Sequence, residues 1–181
     1  MKTFNLDEYI GLDGEHPQSY RKFMDEYLFD HINIDVKNTM VPNGIAEDID
    51  EVCKDYDKKI EEAGGIDVQI LGVGQNGHIA FNEPANQLNL FTSVIELTES
   101  TINVNSRFFD AIDDMPKTAI TMGMASILRA RKIILLATGK NKRAVIKQLL
   151  ESQVVTTHFP VSMLLCHPDL TIIVDKDAYV D

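Results

Sequence analysis

Apolar runs of strand length alternate along this chain with segments whose apolar positions recur at helical spacing. Short strands are predicted over 3–6, 93–97 and 119–122. Continuous apolar strands are predicted over 66–73, 132–138 (Lys-Ile-Ile-Leu-Leu-Ala-Thr) and Leu170–Val174. Helices are predicted over 17–29, where Tyr20, Phe23, Met24, Tyr27 and Leu28 share a face, and over 47–63, where Gly64-Gly65 stops the chain. Further helices are expected over 103–112, from the end of the 119–122 strand to about Ala130, over 141–151 and, briefly, over 161–166. Pro42-Asn43-Gly44 reads as a turn.

Strands that are apolar throughout, and separated by helices, predict a sheet covered on both faces. The expected fold class is therefore α/β, a three-layer sandwich with a mainly parallel, doubly wound (Rossmann-like) sheet. The 181 residues read as a single domain, 1–181. Ligands in such folds bind beyond the carboxyl ends of the strands. That rule directs attention to the residues after Leu6, Val73 and Thr138.

Composition changes this picture mainly by exclusion. A formal net charge of -11 argues against a nucleic-acid partner, because a phosphate backbone needs a basic surface. It leaves room for a small anion, which one or two local cations can hold. No apolar run approaches membrane-spanning length, so no membrane partner is expected. The start of the chain lacks the apolar core of a secretory signal. Cys53 and Cys166 are far apart and near no His/Cys cluster, which suggests neither a disulfide framework nor a zinc site. A reducing cytoplasm is the expected compartment.

Chemistry gathers where the strand rule points. Asp7, Glu8 and Tyr9 follow Leu6; Gly74-Gln75-Asn76-Gly77-His78 and Asn82-Glu83-Pro84 follow Val73; Gly139-Lys140-Asn141-Lys142 follows Thr138. Gly72-x-Gly74-x-x-Gly77 matches a dinucleotide fingerprint, with Glu96 at a suitable distance for a ribose acid. That fingerprint needs a helix from its third glycine, and Pro84 would break such a helix within two turns. A catalytic reading of the loop fares better. His78 can carry protons near neutrality, and a bent loop can hold Glu83 against the same ligand. Lys142, in the first turn of a helix, suits a phosphate, and Arg107 could reach the same anion with its forked guanidinium. The bland alternatives are a satisfied polar His78, a solvated Lys142 and an Arg107 that merely lies over its neighbouring phenylalanines.

Together these segments resemble the glucosamine-6-phosphate deaminases. The matching pieces are Phe4-Asn5-Leu6-Asp7-Glu8-Tyr9, His16-Pro17-x-Ser19-Tyr20, the run from Gly72 to Pro84, Ser106-Arg107-Phe108-Phe109, and Thr138-Gly139-Lys140-Asn141-Lys142. The resemblance implies isomerisation with deamination, in which glucosamine 6-phosphate and water give fructose 6-phosphate and ammonium. Amino-sugar (N-acetylglucosamine) catabolism would be its setting, and hydrolase and isomerase are the expected reaction labels. It further implies Asp7 as the carboxylate that moves a proton from C2 to C1, and His78 as the ring-opening group. Asn76 and Glu83 would orient or polarise that histidine, and Arg107 and Lys142 would bind the phosphate. Asn76 stands where some relatives carry aspartate. No metal or organic cofactor is expected.

The resemblance also implies further β-α units before Thr3, with a phosphate loop of their own, so the chain is expected to be N-terminally truncated. It lacks the longer tail of hexameric relatives, so a monomer is expected. The alternatives are a 6-phosphogluconolactonase-like hydrolase and a non-catalytic sugar-phosphate-binding module.

Overall fold

The computed structural model describes residues 1–109, 111 and 114–179, apart from the side chains of 100 and 104. In chain order its strands are β1 (Thr3–Phe4), β2 (Asp7–Tyr9), β3 (Thr39–Met40), β4 (Val68–Leu71), β5 (Ser93–Glu96), β6 (Thr118–Thr121), β7 (Lys132–Ala137) and β8 (Leu170–Val174). Its α-helices are α1 (Tyr20–Tyr27), α2 (Ile49–Glu62), α3 (Glu99–Asn105), α4 (Met124–Leu128) and α5 (Arg143–Glu151). None of these helices is long and apolar enough to cross a membrane.

The chain divides into two compact units. One comprises Met1–Ile60 and Thr92–Met122. Here β1 pairs with β3 in parallel, while β2, β6 and β5 form an antiparallel sheet in that order. The strand expected over 3–6 is therefore shorter, and Asp7 opens a second strand. The reason is a change of partner: Asn5 N–H donates to Met40 O, whereas Leu6 O accepts from Met122 N–H and Asp7 pairs with Thr121. Tyr9, Tyr56, Ile120 and Met122 belong to the buried set.

Capping sets the helix limits in this unit. The expected 17–29 helix begins only at Tyr20, because the Ser19 hydroxyl accepts from Lys22 N–H and caps it. Asp48 accepts from Glu51 N–H at the start of α2, and Gly64 and Gly65, both at positive φ, follow its end. The helix expected over 103–112 starts earlier, at Glu99, because Thr98 caps it. It gives way to a single 3₁₀ turn at Ser106–Phe108. The end of the expected helix falls on 110 and 112, outside the described residues.

The other unit comprises Glu61–Phe91 and Gly123–Asp181. Its sheet is parallel, in the order β4-β7-β8. Leu71, Ile133, Leu135, Ile146, Leu149 and Leu164 are fully buried. Contrary to the expectation of two covered faces, Val68, Ile70, Leu136 and Ile173 are exposed. Side chains alternate along a strand, so these four fall on one open face of the sheet. The carboxyl ends of β4 and β7, neighbours in this sheet, release two of the segments that carry candidate residues, the His78 loop and the Lys142 turn. The predicted α/β class with parallel strands holds, and β2-β6-β5 is its antiparallel part.

Candidate active site

Beyond β4 the chain does not form the helix that a dinucleotide fingerprint requires. Gly77 N–H donates to Gly74 O, Gly74 N–H donates to His78 O, and a bridge between Ile79 and Asn82 closes a tight turn. Gly77 sits at φ 86°, a conformation that favours glycine, and a Cβ there would strike the Phe159 ring. Its carbonyl accepts from Val161 N–H, which ties the loop to the 3₁₀ segment Pro160–Cys166. Gly74 lies so close to the His78 imidazole that a Cβ would overlap the ring. Gly74 thus serves close packing, and Gly77 close packing and a left-handed turn.

This loop brings three of the expected residues together. Asn76 Nδ2 donates to Glu83 Oε2 at 2.7 Å. Its Oδ1 therefore faces the other way, 2.8 Å from His78 Nδ1 and 3.2 Å from the His78 backbone nitrogen. Glu83 Oε1 lies 3.3 Å from the same Nδ1. With two acceptors on that side, the neutral imidazole keeps its proton on Nδ1 and presents the Nε2 lone pair. The His78 side chain stays 28% exposed, so a ligand can reach it. His167 makes the contrast: it is buried, with one ring nitrogen 2.7 Å from Ala130 O and the other accepting from Asp169 N–H. Both of its nitrogens serve the fold.

Lys142 comes to the same loop. It ends a 3₁₀ turn, Lys140–Lys142, just before α5 rather than lying in the helix, because Gly139 at φ 88° redirects the chain. Its ammonium donates to Val73 O at 2.6 Å, and burial pulls its pKa below the usual lysine range. Asp175, just after β8, was not foreseen. Its carboxylate accepts from Gly139 N–H and Ala178 N–H, which hold its pKa low and pin the turn that carries Lys142. Its position after a strand end was the available signal.

Asp7 and Arg107 belong to the unit of the antiparallel sheet. Asp7 retains some solvent contact, yet burial, seconded by the charge of Glu8, raises its pKa to about 7. Glu8 is buried, and its carboxylate accepts from Tyr9, Tyr20 and Arg21 N–H at 2.8–3.0 Å, anchoring β2 to the first turn of α1. Arg107 is exposed, with its guanidinium 4.7 Å above the Phe108 ring. A cavity of about 350 Å³ in this unit is lined by aromatic residues that include Tyr9, Tyr20, Phe108 and Phe109. Among the described residues no cluster of His, Cys, Asp and Glu is arranged to hold a metal ion.

Comparison with known proteins gives these features a context. The family model described as glucosamine-6-phosphate isomerases/6-phosphogluconolactonase matches residues 3–172. The glucosamine-6-phosphate deaminase of Thermoanaerobacter pseudethanolicus is 56% identical over 176 residues, 97% of this chain and 69% of the relative. A solved monomeric glucosamine-6-phosphate deaminase superposes with a TM-score of 0.94 at 41% identity, covering 98% of this chain and 73% of that one. A 6-phosphogluconolactonase of Thermotoga maritima superposes with a TM-score of 0.69 at 20% identity, covering 96% and 72%, and shares the fold.

The expected hydrolase label is corrected by these matches. The relatives with real sequence identity are named deaminases, whereas the lactonase likeness is one of fold alone. The chain belongs to the glucosamine-6-phosphate isomerase/6-phosphogluconolactonase family.

Proposed function

We propose that this chain converts glucosamine 6-phosphate and water into fructose 6-phosphate and ammonium. The observation that carries the reading is the fixed orientation of His78, whose Nδ1 is engaged by Asn76 and Glu83 and whose Nε2 is left as a base.

The chemistry assigns a task to each residue. Nε2 of His78 takes the O1 hydroxyl proton of the pyranose as the C1–O5 bond breaks, and returns a proton to O5. The imidazolium formed in passing is stabilised by Glu83. The Asp7 carboxylate removes the proton from C2 of the open-chain sugar, leaving an enolamine, and delivers it to C1. C2 is then an iminium carbon; water adds there, and ammonia leaves as the ketone forms. A carboxyl group with a pKa of about 7 can both accept and return that proton near neutrality. Arg107 and Lys142 bind the phosphate, far from the reacting carbons, so that binding energy there orients the rest.

The reading includes a sugar phosphate as the sole partner, action as a monomer in the cytoplasm, and no cofactor. The solved relative at 41% identity is a monomeric deaminase, which supports the second of these. The test is ammonium release from glucosamine 6-phosphate by this chain. Turnover that disappears in Asp7→Asn and His78→Gln is the expected result. Hydrolysis of 6-phosphogluconolactone without ammonium release would favour the lactonase reading, and binding without turnover would overturn catalysis.

A further inference from the structure

Arg107 sits in a turn whose two ends are both held by one buried side chain. Before the turn, Asn105 Nδ2 donates to the Tyr9 hydroxyl at 3.2 Å. After it, the Phe109 ring meets the Tyr9 ring edge-on, with centroids 6.1 Å apart. Tyr9 is itself fixed from behind: it is 4% exposed, its ring stacks on Tyr20 at 5.2 Å, and its hydroxyl is also hydrogen-bonded to that of Tyr20. Phe109 has a second support in the His16 ring, 6.3 Å away and nearly parallel. His16 and Tyr20 belong to the His16-Pro17-x-Ser19-Tyr20 motif, for which the proposed reaction has no direct use. Tyr9 lies at the end of β2, the strand that begins with Asp7.

We propose that Tyr9 is a positioning residue that clamps the Arg107 turn to the strand carrying Asp7, setting where the guanidinium waits for the substrate phosphate. The inference rests on the reading of Arg107 as a phosphate ligand. A 3₁₀ turn of three residues has little internal hydrogen bonding, and an exposed arginine on it is costly to order. Anchoring both ends on a buried ring removes part of that cost before the ligand arrives. The hydroxyl supplies direction and the ring supplies area, so the two contributions can be separated by substitution.

The experiment compares Tyr9→Phe with Asn105→Ala, which removes the same hydrogen bond from the other side. Backbone amide exchange in the 106–109 segment reads the clamp without reference to activity. Both variants are expected to exchange faster there, while protection in β6 and α2 stays as in the parent. Both are expected to raise KM for glucosamine 6-phosphate about three- to tenfold, the range for one lost hydrogen bond, with kcat within twofold. Combined with Arg107→Ala, Tyr9→Phe is expected to add no further KM loss, because it acts through that residue. Unchanged exchange over 106–109, or KM losses that multiply in the double variant, would overturn the proposal. Faster exchange with a KM indifferent to Arg107→Ala would uphold the clamp and overturn the phosphate role of Arg107 alone.

Discussion

His78 Nδ1 and Asn76 Oδ1 lie 2.8 Å apart, and the amide cannot turn over because its nitrogen is committed to Glu83. An amide held at one end orients the imidazole at the other, and so selects which ring nitrogen is the base. Asn76→Leu keeps the approximate volume and removes both bonds. It is expected to lower kcat about 10²-fold with a smaller change in KM, since the loss falls on proton transfer rather than on phosphate binding. Steady-state ammonium release is the measurement. A kcat within twofold of the parent would show that Glu83 alone orients the ring.

Asp7 makes the pH dependence predictable in sign. Its folded pKa, about 7, lies above the ordinary 3.8. Between about pH 4 and pH 7 the folded chain therefore holds a proton that the unfolded chain has released. Stability conferred by that proton is complete below pH 4 and is lost as pH rises to 7, after which this contribution is flat. Activity runs the other way, because only the carboxylate can take the C2 proton, so kcat is expected to rise through a midpoint near pH 7. Asp7→Asn should flatten part of the stability slope and abolish turnover. The slope should not vanish, because burial also raises the pKa of Glu8. Urea denaturation at pH 4.5 and 7.5 reads the first effect; a slope unchanged in Asp7→Asn would contradict the shift.

Much of the parallel unit was legible because its signals are local. The 132–138 and 170–174 apolar runs became β7 and β8 within a residue, and Gly139 marked the turn before α5. The His78 loop was legible because glycines, an amide and a carboxylate rarely share one strand end without a task. What escaped depends on partners distant in sequence. That Asp7 opens a strand follows from its pairing with Thr121, and no nearby residue announces it. Thr98 as a cap moved the start of α3, a shift of a few residues that helix periodicity alone cannot resolve. The roles of Tyr9 and Asp175 lie in the groups that their side chains reach, Asn105 and Gly139, and spacing along the chain does not reveal those.

The Lys142 ammonium donates to the Val73 carbonyl at 2.6 Å, which directs the side chain to the His78 loop. Lys142→Met retains the length of the stem and loses the charge. KM for glucosamine 6-phosphate is expected to rise at least about tenfold, with kcat less affected, as for a group that binds ground state and transition state alike. Burial lowers the lysine pKa, so the ammonium is lost earlier than usual as pH rises. The KM of the parent should therefore climb on the alkaline side, and Lys142→Arg, which stays charged, should remove that climb. An alkaline KM profile identical in parent and Lys142→Arg would separate Lys142 from the phosphate.

Two glycines of one loop should fail in different ways when changed to alanine. Gly77 occupies φ 86°, and a methyl there would also strike Phe159. Gly77→Ala is expected to cost about 1–3 kcal/mol of stability and to lower the melting temperature accordingly. The φ of Gly74 lies outside the left-handed region, so its backbone accepts alanine; the methyl collides instead with the His78 imidazole, a side chain that can swing away. Gly74→Ala should thus leave the melting temperature within a few degrees while breaking the bond from Nδ1 to Asn76. The expected result is a kcat reduced about 10²-fold or more, comparable to that of Asn76→Leu, because both changes release the same ring. Little further loss in the double variant would confirm a shared cause. Multiplicative losses would mean that Gly74 acts on the reaction by another route, such as the approach of the sugar to the loop backbone.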